Sequence, residues 1–480
     1  MILKKLLLPL LFTLALNAEP ETYTPKNVLL ICVDDLRPEL KSFGVDYIHS
    51  PNIDRLANSG RAFHRHYVNA PTCGASRYSL LTGQYGSSNN QALFTRAKQM
   101  EKSDASVSPS LPEWFRKNGY KTVSVGKVSH HPGGWGGEDW YDNNILEMPN
   151  AWDRQLMPTG QWKHPRGAMH SLAHGEIKPI GSFSKHKVDA FQSVEGKDTI
   201  YHDGLIGEAG VEQLKDLSSS ETPFFLAIGF IKPHLPFGSP ARYMEPYKDV
   251  ELPAIPYPEK PDWPSTWHGS GEFFSQYHHY GKDPRTDADY ADKVRRHYAA
   301  CVSYVDKMVG HILETLEASG KADETIVVLW GDHGWNLGEH SIWGKHNLFE
   351  EALRAPLIIA TPNMKNAGEK TEAIVETTDI FPTLCELNGL PFPDFVHGES
   401  LVPILENPDA SGHPAYSYWK NAKTIRTETH RFTLHEDGYA ELYDHTSPFK
   451  ESLNIADQNP QLVESYKQLL QQESSLHQTY

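Results

Sequence analysis

A chain of 480 residues exceeds what one hydrophobic core usually holds, so a large domain with a smaller one attached, or two domains, is expected. Hydrophobic content of 39% and charged content of 22% are those of a globular protein. A formal net charge of −16 excludes general nucleic-acid binding, because a phosphate backbone would be repelled, but it leaves room for an anionic substrate in a locally basic pocket.

The chain starts MILKKLLLPLLFTLALNAEPETY. Lys4 and Lys5 give a positive start, Leu6 to Leu16 an apolar run, and Leu16-Asn17-Ala18 a cleavage end. This reads as a secretory signal over residues 1–18, too short in its apolar run to span a bilayer. No cysteine follows Ala18, so no lipid anchor is expected, and no later stretch has the length and apolarity of a span. The expectation is an exported protein, periplasmic or secreted, without a membrane anchor. Cys32, Cys301 and Cys385 fall in apolar or helix-like segments and read as buried thiols.

The elements follow in order. NVLLICV (27–33) is a continuous apolar run that suits a buried strand of a parallel sheet, and it ends in Asp34-Asp35. SPNIDRLANSG (50–60) has a Ser-Pro start, apolar Ile53, Leu56 and Ala57, and a Gly60 stop, which together predict a helix. APTCGASRYSLLTG (70–83) sets Cys73 among small residues with Arg77 four later, just before a short helix. A structural staple, a buried thiol and a catalytic group all fit at that point. SLPEWFRKNGY (110–120) predicts a helix, and KTVSVGK (121–127) and PFFLAIGF (223–230) predict strands. Residues 294–319 space Tyr298, Cys301, Val302, Val305, Met308, Val309, Ile312, Leu313 and Leu316 as a helix closed by Gly320. ETIVVLWGD (324–332) and APLIIATP (355–362) complete the strands. Strands alternating with helices indicate a doubly wound α/β fold. The tracts 128–200 and 233–290 read as long loops, a length usually kept for function. The catalytic domain is expected over 19–410, and short strands with a Gly turn followed by a helix predict a small antiparallel α+β subdomain over 411–480.

In open parallel sheets, sites form at the carboxyl ends of strands. Asp34 and Asp35 end the first strand, Lys127 ends KTVSVGK with His130 three residues on, His234 follows PFFLAIGF, and Asp332 and His333 end ETIVVLW. Lys345 lies in the Gly-rich loop that follows. Asp34, Asp35 and Asp332 offer hard oxygens that suit Ca²⁺ or Mg²⁺, and His333 leaves the metal open. Adjacent carboxylates beside a buried strand repel one another unless a cation neutralises them. Arg77, Lys127, His130, His234 and Lys345 form the opposing cationic set, and cations facing a metal imply an anion between them, a sulfate or phosphate ester.

CGASR resembles the type I sulfatase signature Cys-x-Pro/Ala-x-Arg, followed here by YSLLTG. VDD after the first strand, PNIDRLA, GYKTVSVGK, GDHG and ELYD agree in order, over roughly residues 24–460. GKVSHHPGG and KPHLPF look most like the iduronate-2-sulfatase branch. The resemblance implies an alkaline-phosphatase-like fold, a large mixed and mostly parallel sheet sandwiched by helices. It implies that Cys73 is oxidised to formylglycine, whose hydrate attacks sulfur with one hydroxyl and expels sulfate with the other. It further implies one Ca²⁺ per chain, held by Asp34, Asp35, Asp332, His333 and residue 73. Arg77 and Lys127 would stabilise the diol, His130 would orient or ionise it, His234 would protonate the leaving oxygen, and Lys345 would bind a sulfate oxygen. Gly74 and Ala75 would let a maturation enzyme grip the extended segment, and a helix beginning near Ser76 would direct N–H groups at anionic oxygen. Ala75 departs from the proline of many family members and leaves the formylglycine-generating enzyme open.

The substrate implied is a sulfated oligosaccharide or polysaccharide, with a 2-O-sulfated uronic acid first. Aromatics in 130–144 and 270–285 suit stacking on sugar rings or ordinary loop packing. A phosphate or phosphonate monoester hydrolase, and an inactive sulfated-glycan binding protein, are the alternatives.

Overall fold

The computed structural model describes residues 25–476, apart from 103–105, 132–145, 163–164, 171 and 174–187. The expected signal segment, its cleavage site and most of the aromatic tract 130–144 lie outside the described residues. Among the described residues, no helix is long and apolar enough to cross a membrane.

An eight-stranded sheet forms the centre. Its strands are β1 (Asn27–Val33), β2 (Arg61–Tyr67), β3 (Lys121–Gly126), β4 (Arg154–Leu156), β5 (Phe224–Phe230), β6 (Thr325–Gly331), β7 (Leu357–Ala360) and β8 (Lys370–Glu376). The spatial order is β8-β2-β7-β6-β1-β5-β3-β4. β7 runs antiparallel to both of its neighbours, β2 and β6, and every other pairing is parallel. The mixed, mostly parallel sheet expected from the sequence is therefore what the chain builds.

The run NVLLICV has no polar residue after Asn27 because both faces of β1 are covered. Leu29, Ile31 and Val33 join one core layer with α1 (Pro51–Ser59), α5 (His202–Ser218) and α6 (Ala288–Ala318). Val28, Leu30 and Cys32 join the opposite layer with α2 (Cys73–Thr82), α3 (Ala92–Met100), α4 (Leu111–Lys117) and α7 (Ile380–Leu387). Helices on both faces are the arrangement that continuous apolar strands require. Cys32, Cys301 and Cys385 are free and buried, as expected of core thiols.

α6 starts six residues before the expected position, because the Asp287 side chain caps it by accepting from the Tyr290 N–H. β2 and β8 were not anticipated. β2 reads RAFHRHY, which has no clean apolar alternation. It pairs nonetheless because its buried polar groups are satisfied from elsewhere in the fold. Arg61 donates to the carbonyls of Asn366, Glu369 and Leu405, and His66 bonds the Ala355 carbonyl and the Thr377 hydroxyl.

Beyond the sheet, β9 (Ala415–Trp419), β10 (Ala422–Arg426), β11 (His430–His435) and β12 (Ala440–Asp444) form an antiparallel meander covered by α8 (Pro460–Leu476). Ile425, Phe432, Leu442, Tyr466 and Leu470 fill the space between sheet and helix. This is the small α+β unit expected at the C-terminus.

Candidate active site

Sheet order explains why distant residues converge. β6, β1, β5 and β3 are consecutive and parallel, so their carboxyl ends share one edge. In register, Val33 lies opposite Gly331 and Phe230, and Gly126 lies opposite Gly229. The next residues along each strand are Asp34-Asp35, Asp332-His333 and Lys127. Gly229 permits this closeness, since a Cβ there would sit 2.1 Å from the Lys127 carbonyl.

Asp35 adopts a left-handed backbone, φ 57°. That conformation is held from both sides: its N–H donates to Asp332 Oδ1 at 2.9 Å, and its carbonyl accepts from the Tyr298 hydroxyl at 2.7 Å. The turn presents two carboxylates to one point.

Cys73 is the first residue of α2, so this helix begins three residues before the expected Ser76. Asn90 accepts at 2.8 Å from the Gly74 N–H, one of the donors a helix start leaves unpaired. A Cβ on residue 74 would sit 2.4 Å from the Asn90 Cα. The small residue after Cys73 thus has a packing reason in the folded state, apart from any maturation enzyme.

Around Cys73 Sγ stand His333 Nε2 and Lys345 Nζ, each at 3.3 Å. Lys345 also meets Asp35 Oδ1 at 2.7 Å. Lys127 is paired with Asp34. Arg77, fully buried, donates to Asp332 at 2.9 Å, lies 3.4 Å from Asp34, and is bonded to the carbonyls of Lys127 and Val128. His234 lies beside the cluster with its Nδ1 on the Leu235 carbonyl. His130 stands at the edge; its ring meets His131 edge-on, and the charges of Lys127, Asp34 and Arg77 act on it.

Ligand atoms of Asp34, Asp35, Cys73 and His333 all lie within 4.8 Å of one another, and all four residues are buried. Asp34 Oδ1 and Asp35 Oδ2 accept no hydrogen bond among the described residues. Orphaned buried carboxylate oxygens fit a hard cation. Asp332 stands next to this group, with its Oδ1 3.6 Å from His333 Nε2 and both oxygens accepting hydrogen bonds from the protein.

The charges follow from burial. Burial works against ionised Asp34, but Lys127, paired with it, and Arg77 more than offset burial and hold Asp34 well below the usual carboxylate range. Burial pushes Asp35 well above that range despite Lys345, and pushes Asp332, beside Asp34, up to about 7. Burial likewise keeps His333 and His234 well below the ordinary imidazole value, so His333 offers a neutral nitrogen. The Cys73 thiol is pushed well above its ordinary value, first by burial and then by Asp34. A thiol so raised is a poor nucleophile.

Glu272 escaped the sequence reading. Its carboxylate lies 3.5 Å from His234 Nε2 and 3.8 Å from Lys345 Nζ, and only the fold brings these three segments together. Within the tract 270–285, Phe273 and Tyr277 are buried and Phe273 packs on Trp343, so local packing accounts for them; Tyr280 stays 52% exposed. Beside Glu272 opens a cavity of about 520 Å³, lined also by Trp267, His268, His346, Trp419 and Lys420.

The family model described as Sulfatase matches residues 26–390, and a model described as N-sulphoglucosamine sulphohydrolase, C-terminal, matches residues 338–478. The chain belongs to the sulfatase family. A sulfatase of Formosa agariphila is 30% identical over 90% of this chain and 83% of its own length. The iduronate 2-sulfatase of Mus musculus is 31% identical over 76% of this chain and 69% of its own. The phosphonate monoester hydrolase of Agrobacterium radiobacter superposes with a TM-score of 0.73 at 22% identity, over 94% of this chain and 96% of the other, which is a likeness of fold. The cluster at the strand ends is the candidate active site of this sulfatase.

Proposed function

We propose that this sulfatase is an exported enzyme that removes sulfate from a sulfated glycan, a 2-O-sulfated uronic acid first, using Cys73 converted to formylglycine and one Ca²⁺ per chain. The observation that carries the reading is the position of Cys73. It stands at a helix start, between Lys345 and His333, against carboxylates with orphaned oxygens.

Bound Ca²⁺ would be held by Asp34, Asp35, Asp332 and His333 with residue 73, and would supply charge stabilisation to anionic oxygen. Formylglycine would supply the attacking oxygen. The remaining work belongs to this chain's own side chains. Lys345 Nζ, 3.3 Å from Cys73 Sγ, is placed to bind a sulfate oxygen. Arg77 holds Asp34 and Asp332, Lys127 holds Asp34, and together they neutralise these carboxylates at the floor of the site. His130 is assigned to orienting or ionising the nucleophile. His234 is assigned the proton for the departing sugar oxygen. A bound sulfate anion and the Glu272 carboxylate, 3.5 Å from its Nε2, both favour the protonated ring that this role needs. The uronic acid follows the likeness to iduronate 2-sulfatase and the motifs GKVSHHPGG and KPHLPF.

Side-by-side turnover of 4-nitrophenyl sulfate and 4-nitrophenyl phosphate tests the reaction. A phosphate or phosphonate monoester hydrolase would use the same layout, and a large preference for phosphate overturns the sulfatase reading. A panel of sulfated oligosaccharides, read by mass spectrometry, tests the sugar; loss of sulfate from positions other than a uronic acid 2-O refutes that substrate.

A further inference from the structure

Two cavities share Lys420, in the turn Lys420-Asn421 between β9 and β10. The inner one is the cavity beside Glu272. The outer one, about 430 Å³, lies between α2, α3 and the C-terminal sheet, and its volume is that of a ligand site. Its floor is made by Tyr85, Tyr416 and Tyr418, all nearly buried. Lys423 and Thr95 stand exposed at its rim, and Lys420 borders both cavities. Among the described residues no carboxylate lines the outer cavity, on a chain whose net charge is −16. The dividing turn is fixed in place. Lys420 N–H donates to the Ser88 hydroxyl at 3.2 Å, and the Trp419 ring stacks on His346 with centroids 5.0 Å apart. Tyr78 lines the outer cavity from α2, five residues after Cys73, about 7–8 Å along the helix axis. The Tyr85 hydroxyl donates to Glu376 and the Tyr418 hydroxyl accepts from the Gly86 N–H, so the floor offers ring surface rather than free hydroxyls, and aromatic surface under an ammonium rim matches a sugar ring that carries a sulfate or carboxylate.

We propose that the outer cavity is a second sugar subsite, which holds another anionic sugar of the same glycan whose sulfate ester lies at residue 73. The proposal rests on the sulfatase reading above and adds that the enzyme grips a chain across the hairpin turn rather than a single terminal sugar.

The test is fluorescence anisotropy of labelled heparin disaccharide and octasaccharide with the full chain. The octasaccharide should bind at least about tenfold tighter than the disaccharide. Lys423→Glu, which reverses a rim charge, and Thr95→Trp, which fills the cavity from the exposed face of α3, should each remove most of that gain. Neither should alter disaccharide binding, and Lys423→Arg should keep the gain. Equal affinity for the two lengths, or a gain that survives both variants, overturns the subsite. Wild-type hydrolysis of 4-nitrophenyl sulfate, measured on the same preparation, reports separately on the catalytic reading. Turnover without a length gain refutes the subsite alone, and a length gain without turnover, from protein whose residue 73 is shown by mass spectrometry to carry the aldehyde, refutes the sulfatase reading alone.

Discussion

Arg77→Met removes the cation that lies between Asp34 and Asp332. The guanidinium is fully buried, 2.9 Å from Asp332, 3.4 Å from Asp34 and 3.0 Å from the Val128 carbonyl. Methionine fills much of the vacated volume, so the loss is mainly electrostatic. Breaking a buried pair by deleting one partner costs about 3–5 kcal/mol, because the other charge stays buried. With about 2.1 cal/mol/K of unfolding entropy per residue over 480 residues, that loss lowers the melting temperature by about 3–5 °C. The variant leaves three carboxylates with one fewer neutralising charge, so a divalent cation should bind it more tightly. A ligand at a hundred times its Kd adds about 2.7 kcal/mol, or about 3 °C in this chain. Thermal melting of both proteins, in chelator and along a Ca²⁺ titration, reads both effects. The variant should melt lower in chelator and gain more from Ca²⁺ than the wild type does. Equal melting in chelator, or a Ca²⁺ gain no larger than that of the wild type, refutes Arg77 as counter-ion to a metal-type carboxylate cluster.

Other perturbations follow from single contacts. Lys345→Ala should lower kcat/KM for 4-nitrophenyl sulfate by about 10²–10³-fold, the usual loss on removing one donor to developing negative charge; an unchanged rate would remove Lys345 from sulfate binding. Gly74→Ala would drive a Cβ to 2.4 Å from the Asn90 backbone, and should cost about 1–3 kcal/mol; a wild-type melting temperature would contradict the packing. His413 lies 3.0 Å from Asp379; burial opposes its charge, but Asp379 with Glu376 more than offsets burial and pushes it up to about 11 from an ordinary 6.5. The folded value exceeds the unfolded one, so this stabilisation is complete below pH 6.5 and fades as pH rises toward 11. His413→Gln should therefore lower the melting temperature more at about pH 6 than at about pH 10, and equal losses would count against a charged His413.

The sequence made the central strands and their polar ends readable, since a buried parallel strand cannot hide its composition. NVLLICV gave β1 with both its limits, and the carboxylates and cations after β1, β3 and β6 are the groups that the fold gathers. β2 stayed hidden because Arg61 and His66 are buried through partners about 290 to 345 residues away. Glu272 stayed hidden for the same reason. Its carboxylate gains meaning only from His234 and Lys345, which reach it through the packing of separate loops. The role of Asn90 at the start of α2 is likewise tertiary, because it satisfies Gly74 from sixteen residues on. What periodicity cannot supply is the identity of polar partners across the fold, and the site is built from those.

The chemical state of residue 73, read against turnover, tests the central claim most directly. The chain is expressed with and without a formylglycine-generating enzyme, and the tryptic peptide ending at Arg77 is weighed while sulfate release from 4-nitrophenyl sulfate is measured. Activity should rise in proportion to the fraction of peptide whose cysteine sulfur has been replaced by an aldehyde oxygen, and Cys73→Ala should be inactive under both conditions. Full turnover from protein whose Cys73 remains an unmodified thiol, or from Cys73→Ala, would contradict it.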